Sequence, residues 1–302
     1  MTYSIVARDP DTGEIGVAVQ SCFFAVGSIV CWARAGVGAV ATQALAEVRY
    51  GPRCLELLAS GASAANALAK ACAEDPSSEV RQVAVVDANG GAAAHTGAKC
   101  IDEAGGQTGA GYSVQANIMK SDRVWPDMAH AFESASGRLE ERMMASLRAA
   151  ESAGGDARGK MSAALLVVDG TKRTKPWQGM VIDVRVDDHP EPLDELERLV
   201  KVSGAFRACD RGEIALSNGD PEGALREASA GLAVLPDEGN LRLLRAGALM
   251  AMGRTEEGFE EARALIEKNP NWGPVLRSLV SKDLYPVPPQ IDFDAVIGTS
   301  EP

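Results

Sequence analysis

Thr2-Tyr3-Ser4-Ile5-Val6-Ala7-Arg8-Asp9, directly behind Met1, is the stretch on which the fold turns. The run is rich in β-branched and aromatic residues and ends at Asp9-Pro10-Asp11-Thr12-Gly13, where proline and glycine supply the angles of a tight reversal. Residues 3–9 and 15–20 are therefore predicted as the two strands of a hairpin. A methionine ahead of so small a residue is usually trimmed. Trimming leaves Thr2 with a hydroxyl and a free α-amine on one residue, the pairing that lets a terminal threonine act as a nucleophile without a histidine. Such an amine titrates at about 7.7–8.0, so near neutral pH part of it is free to take the hydroxyl proton.

The 302 residues are 46% hydrophobic, enough for a large core, and carry a formal charge of −12. That charge argues against nucleic acid or an anionic membrane surface as partner, since both are held by clustered Lys and Arg. No secretory leader and no apolar run of membrane-spanning length is recognisable, so a cytoplasmic location is expected. Cys22, Cys31, Cys54, Cys72, Cys100 and Cys209 form no C-x-x-C pair and are expected as free thiols. His95, His130 and His189 are far apart in sequence, and neither a metal nor a cofactor is expected.

Outward from the hairpin, residues 28–34 read as a third extended run leading through Gly36 and Gly38 into Ala39-Val40-Ala41-Thr42-Gln43. Helices are predicted over 53–58 and 63–73, with Ser63 as N-cap, and strands over 82–87 and 92–96 about the turn Asn89-Gly90. Residues 109–117 read as a glycine-punctuated strand, 125–134 and 139–152 as amphipathic helices, and 162–169 and 180–186 as closing strands. Strands, two helices, strands, two helices and strands imply an α+β sandwich with helices over both faces of β-sheet.

Asp187-Asp188-His189-Pro190-Glu191-Pro192 is charged and proline-bearing, and is predicted as a linker that no helix tolerates. Beyond it an internal repeat appears. Gly219 and Gly253, Ala228 and Ala262, Leu232 and Ile266, Leu216 and Met250, and Pro236 and Pro270 are each 34 positions apart, the tetratricopeptide period. Two repeats and a short helix over 274–282 fall below the three usually needed for independent stability, so the module is expected to lean on the first domain or on a partner. A closed homo-oligomer is expected.

Thr2 to Asp9, the run Ala35-Gly36-Val37-Gly38-Ala39-Val40-Ala41-Thr42-Gln43-Ala44-Leu45 with Arg49-Tyr50-Gly51-Pro52, and Gly154-Gly155-Asp156-Ala157-Arg158-Gly159 to Val168 together resemble an uncharacterised bacterial domain-of-unknown-function family placed among the N-terminal-nucleophile (Ntn) hydrolases. The resemblance covers about residues 2–200. It implies the four-layer αββα sandwich of proteasome β subunits over 1–186. The proline-bearing segment, the 34-residue repeat and the proline-rich, then acidic end read from the residues add a linker and connecting helix over 187–202, a tetratricopeptide-like module over 203–285 and an extended tail over 286–302. The resemblance also implies roles. Thr2 would be the nucleophile, Gly36 and Gly38 the strand end whose N–H groups meet the oxyanion, and Asp156 the residue that orients the nucleophile. Arg34, Trp32, Gln43, Gln115 and Asn117 are candidates for holding substrate. The pattern departs from the proteasome in two places: the first lysine is Lys70, and Gln20 or Ser21 stands where an aspartate would end the second strand.

Three readings of function stay open at this point. One is hydrolysis of an amide-type C–N bond of a small substrate through an acyl-Thr2 intermediate. Another is a non-catalytic scaffold that keeps the fold and binds a protein partner through its helical module. A third uses the sandwich pocket for a non-hydrolytic ligand or for an internal nucleophile, a serine or a cysteine such as Cys22.

Overall fold

The computed structural model describes residues 2–175, 178–282 and 284–286. Met1 and, apart from Pro286 itself, the tail predicted from residue 286 onward lie outside the described residues. The chain divides after Val200 into two compact units.

In the first unit β1 (Thr2–Arg8) and β2 (Ile15–Ser21) form the expected hairpin, with Asp9 Oδ1 accepting from the N–H groups of Asp11 and Thr12 in the turn. There follow α1 (Gly27–Val30), β3 (Cys31–Arg34), β4 (Gly38–Ala44), α2 (Tyr50–Ala59), α3 (Ala64–Ala73), β5 (Arg81–Asp87) and β6 (Ala92–Thr96). The unit continues with β7 (Gly105–Gly109), β8 (Tyr112–Asn117), α4 (Val124–Ser134), α5 (Leu139–Ser152), β9 (Ser162–Val168) and β10 (Met180–Val186). Two antiparallel sheets result: six strands in the order β10-β9-β2-β1-β8-β7, and four in the order β3-β4-β5-β6.

Strand parity assigns each side chain to one of three cores. Tyr3, Ile5 and Ala7 of β1 pack with Met128 and Phe132 of α4 and Met143 and Leu147 of α5. On its other face, Val6 joins Val17, Val19 and Leu166 against Ala39, Ala41, Ala84 and Val86 of the smaller sheet. Val40, Val83 and Val85 turn away from that interface to meet α2 and α3. The layers are thus helices, four-stranded sheet, six-stranded sheet and helices. β1 is buried on both faces, which is why its sequence is apolar almost throughout. Its exceptions on the inter-sheet face are Thr2 and Ser4, both near the strand's start, and Arg8 at its end.

Three local expectations are corrected. Residues 28–34 are not one extended run: Gly27–Val30 forms a helical turn that drops Val26 and Val30 into the inter-sheet core, and only Cys31–Arg34 is strand. Gly27 makes the turn possible, since a Cβ there would stand 2.4 Å from the Ala164 Cβ. Strand β7 was not anticipated because Gly105 and Gly109 look like loop residues; they are small because the rings of Trp125 and Tyr112 lie over them. The proline segment does not keep out a helix either. Pro192 opens α6 (Pro192–Ser217), at the end of a helix where a missing N–H costs nothing.

Helix α6 runs across the division between the units. The second unit continues with α7 (Pro221–Val234), α8 (Gly239–Ala251), α9 (Thr255–Lys268) and α10 (Trp272–Ser281). The 34-residue offset is visible in the backbone. Gly219 and Gly253 take φ of +77° and +78° just after α6 and α8, the left-handed C-terminal position that glycine fills without strain. Ala228 and Ala262 are buried in the middle of α7 and α9, and Pro236 and Pro270 follow the ends of those helices.

Ala228→Leu and Ala262→Leu are each expected to destabilise the second unit by about 1–3 kcal/mol through overpacking. Ala230→Leu, on the exposed face of α7, is the control that should change little. Urea unfolding followed by far-ultraviolet circular dichroism measures the difference.

Candidate active site

The register that pairs Tyr3 with Gln20 puts Thr2 and Ser21 side by side on the inter-sheet face. Thr2 Oγ1 donates to Ser21 Oγ at 3.1 Å, with Ser21 fully buried and Thr2 6% exposed. The carbonyl of Thr2 accepts from Gln43 Nε2 at 3.1 Å and from Asn117 Nδ2 at 3.4 Å. The same two amides both donate to Gln82 Oε1, at 2.8 and 2.9 Å. Gln82 Nε2 in turn donates to Thr96 Oγ1 at 3.0 Å and to the Ala116 carbonyl at 2.9 Å, and Gln43 Oε1 accepts from Ser4 Oγ at 2.6 Å. Side chains from β1, β4, β5 and β8 thereby tie the two sheets together at the end where Thr2 lies. One acceptor is left over: among the described residues Asn117 Oδ1 has no hydrogen-bond partner, although it is buried.

Asp156 holds the next element of the site. Its buried carboxylate accepts from the N–H of Cys22 at 3.0 Å and of Arg158 at 2.9 Å, and lies 3.4 Å from the Arg158 guanidinium. Cys22 follows Ser21 directly, so Asp156 fixes the strand end on which the Thr2 hydroxyl rests. On the opposite face of the same strands the Tyr3 hydroxyl donates to Glu151 at 2.8 Å, and burial, with Glu151 beside it, raises its pKa well above that of an ordinary tyrosine.

Thr2, Ser21, Gln43 and Asn117 border a cavity of about 760 Å³, a volume typical of small-molecule sites. Val26, Ile29 and Val30 of the α1 segment form one apolar wall, and Leu45, Val48, Val80 and Ile101 another. Two wall residues are strained: Ala44, directly after Gln43, has φ +69°, and Ile118, directly after Asn117, has φ +59°. For a β-branched residue that conformation is an outlier, of the kind that gathers at functional sites. Among the described residues, Arg81, Lys99 and Arg158 are the charged members of the lining, and no carboxylate joins them. Cys100 also lines it, with its thiol held toward the Arg81 carbonyl at 3.4 Å and its pKa raised by burial. Burial pushes Cys31, Cys54 and Cys209 up to about 12, so these thiols stay protonated and unreactive at neutral pH. Among the described residues no group of three His, Cys, Asp or Glu side chains is placed to hold a metal ion, and no helix is long and apolar enough to cross a membrane.

Of the nine residues singled out in the sequence, Thr2, Gln43 and Asn117 line the cavity and Asp156 stands behind it. Gln115 lies beside them but turns inward, its Nε2 donating to Ser4 Oγ. The other four are elsewhere. Gly38 starts β4, about 17 Å from Gln43 for five extended residues, and Gly36 precedes the strand, so neither can serve an oxyanion at Thr2. The Gly36 N–H already donates to the Asp169 carbonyl at 2.9 Å, and a Cβ on Gly36 would stand 2.2 Å from the Lys172 nitrogen. Gly38 is small because Leu58 and the Val86 carbonyl crowd it, each 2.5 Å from where a Cβ would be. Arg34 is exposed at the end of β3, and Trp32 packs its ring on Gly51 of α2 while donating to the Ile29 carbonyl at 2.8 Å. Sequence reading passed over Arg81, Lys99 and the apolar wall because they come from loops and strand ends without periodicity. Ser21 was within reach, since hairpin register alone places it beside Thr2.

Fold and site together define an α+β protein whose first strand begins on the wall of a mostly apolar cavity. The chain belongs to the family described as a family of unknown function, DUF1028, whose model matches residues 2–196. It is similar to the crystal structure of protein SPO2555 from Silicibacter pomeroyi, of the same family, with 33% sequence identity and a TM-score of 0.60 over 66% of this chain and 88% of that one. None of the curated proteins matches the chain. The family match ends within α6, so α7 to α10 lie beyond it.

Asn117→Ala removes the donor shared by Gln82 Oε1 and the Thr2 carbonyl. It is expected to destabilise the first unit by about 1–3 kcal/mol, the cost of buried acceptors left unmatched. The midpoint of urea unfolding, compared with that of the parent chain, reads this directly.

Proposed function

We propose that the first unit is an Ntn amidohydrolase of the αββα type, with Thr2 as its nucleophile once Met1 has been removed. The observation that carries this reading is that Thr2 borders the cavity, with its hydroxyl bonded to Ser21 and its carbonyl clamped by two buried amides. In the proposed reaction the α-amine of Thr2 takes the Oγ1 proton as the oxygen attacks the amide carbon. That proton passes to the leaving nitrogen as the C–N bond breaks, leaving an ester on Thr2. Water, deprotonated by the same amine, then hydrolyses the ester. Asp156, Gln43 and Asn117 act as positioning residues, and the unpartnered Oδ1 of Asn117, the cross-strand neighbour of Thr2, is an acceptor available to the α-amine or to the substrate N–H. The oxyanion role implied for Gly36 and Gly38 is not part of this reading.

The second unit we read as a tetratricopeptide-like module that docks a protein segment. Its support is the equivalence of Gly219 with Gly253, Ala228 with Ala262 and Pro236 with Pro270 along successive helices. If Thr2 stays blocked in the cell, this docking is the function that remains.

Intact mass of protein made in its own host is expected to show the loss of one methionine residue. Against a panel of small amides and acylated amino acids, Thr2→Ala should abolish hydrolysis and Thr2→Ser should retain part of it. The rate should rise with pH through the amine pKa, about 7.7–8.0 for an unperturbed terminus, because only the neutral amine accepts the proton. Activity that survives both Thr2→Ala and an uncleavable N-terminal extension would move the chemistry to another residue.

A further inference from the structure

We infer that the cavity beside Thr2 takes amides built from an aliphatic acyl chain and an amine that carries a carboxylate, the chemistry of an N-acyl amino acid. The inference deepens the amidohydrolase reading and rests on it for the position of the scissile bond. For the binding preference it rests on the cavity alone.

The charge on the wall is one-sided. In a chain with a formal charge of −12, the described residues of the lining include Arg81, Lys99 and Arg158 and neither Asp nor Glu. Arg81 already holds Asp75 at 2.9 Å and donates to the Leu45 carbonyl, and Arg158 contacts Asp156 at 3.4 Å. Lys99 is exposed and makes no ion pair among the described residues, although carboxylates outnumber cations in the chain by 42 to 30. Its loop is nonetheless fixed: the Lys99 N–H donates to the Glu79 carbonyl at 2.8 Å, and the Cys100 N–H to the Gly97 carbonyl at 2.9 Å. A cation presented from a pinned loop beside two neutralised arginines suits a ligand that brings its own negative charge.

Much of the remaining wall is apolar, and its outer members are left in water. Phe23, Leu45, Val48 and Ile101 line the cavity while 50, 63, 41 and 61% exposed. Large apolar side chains grouped on one rim mark a surface that an apolar group covers. The volume of about 760 Å³ accommodates a medium acyl chain together with an amino-acid head.

The test uses the full chain with Thr2→Ala, so that binding is read without turnover. Calorimetric titrations compare N-octanoylglycine with neutral N-octanoylglycinamide and with N-acetylglycine. At low salt N-octanoylglycine is expected to bind about tenfold more tightly than either, and the margin over the glycinamide should shrink as salt is added. Adding Lys99→Glu should remove about threefold of that margin, the scale of an exposed ion pair, without altering the affinity for the glycinamide. Equal affinity for glycine and glycinamide forms, a preference untouched by Lys99→Glu, or no binding at all would overturn the inference. Binding as expected, with no hydrolysis by the parent chain, would sink the amidohydrolase reading and leave the ligand class standing.

Discussion

Three buried side-chain amides, Gln43, Gln82 and Asn117, can meet one another and hold β1 only if four strands from two sheets arrive together, and the rest of the site depends on that condition. Gln82 Oε1 takes both other amide nitrogens, which in turn hold the carbonyl of Thr2. Each unmatched group would cost about 1–3 kcal/mol, so the network fixes the register of β1 more firmly than apolar contacts alone. A slip of β1 by one residue would turn Thr2 and Ser4 toward the helices and bring Tyr3 and Ile5 between the sheets. The polar end of β1 is thus at once a structural lock and the place where a hydroxyl meets the cavity.

The strain at Ala44 and Ile118 follows from the same lock. Each comes directly after one of the amides, where the chain must leave its strand abruptly if the cavity is to stay open. A left-handed conformation costs an L-residue about 1–2 kcal/mol, and it persists where the surroundings over-determine it. Here the preceding amide is held by two or more hydrogen bonds, and the following backbone is caught again by Leu45 N–H to Val80 and Met119 N–H to Glu103, both at 3.3 Å. Asp156 does for the end of β2 what the amides do for β4 and β8, restraining the residue after Ser21 through its N–H. Three strand ends are therefore held by polar groups, and Thr2 sits among them.

The layered fold was legible because the apolar periods of its long elements are unambiguous: β1 and β2, β5, β9, α4 and α5 all lie within a residue or so of where the sequence puts them. The short elements were not. Gly27–Val30 is helical because Val26 and Val30 reach one core a turn apart, a contact that no local propensity encodes. In the site, Thr2 and Asp156 were legible through resemblance, and Gln43 and Asn117 as polar residues closing apolar strands. Gly36 and Gly38 misled because a glycine needed for close backbone approach looks in sequence like one needed for an unhindered N–H. Only tertiary structure tells Lys172 and Leu58 apart from a substrate as the neighbour that demands the space. The cations of the cavity were invisible for a different reason, since charge in a loop has no period.

A strongly acidic chain that keeps carboxylates off one cavity wall has sorted its charges. Most acidic groups sit on the helices and outer loops, where many pair with arginines, as Glu74 does with Arg53 and Glu257 with Arg254. Exposed pairs of this kind contribute little to stability. Their effect on the potential is larger, because a surface of net negative charge leaves the cationic wall as a local exception with low-dielectric sides that concentrate its field. The aliphatic rim sharpens this further, since it displaces water next to the wall and so weakens the screening of Arg81, Lys99 and Arg158. The apolar lining and the cations are one device: the first makes the second felt, and Thr2 at the start of β1 borders the cavity they share.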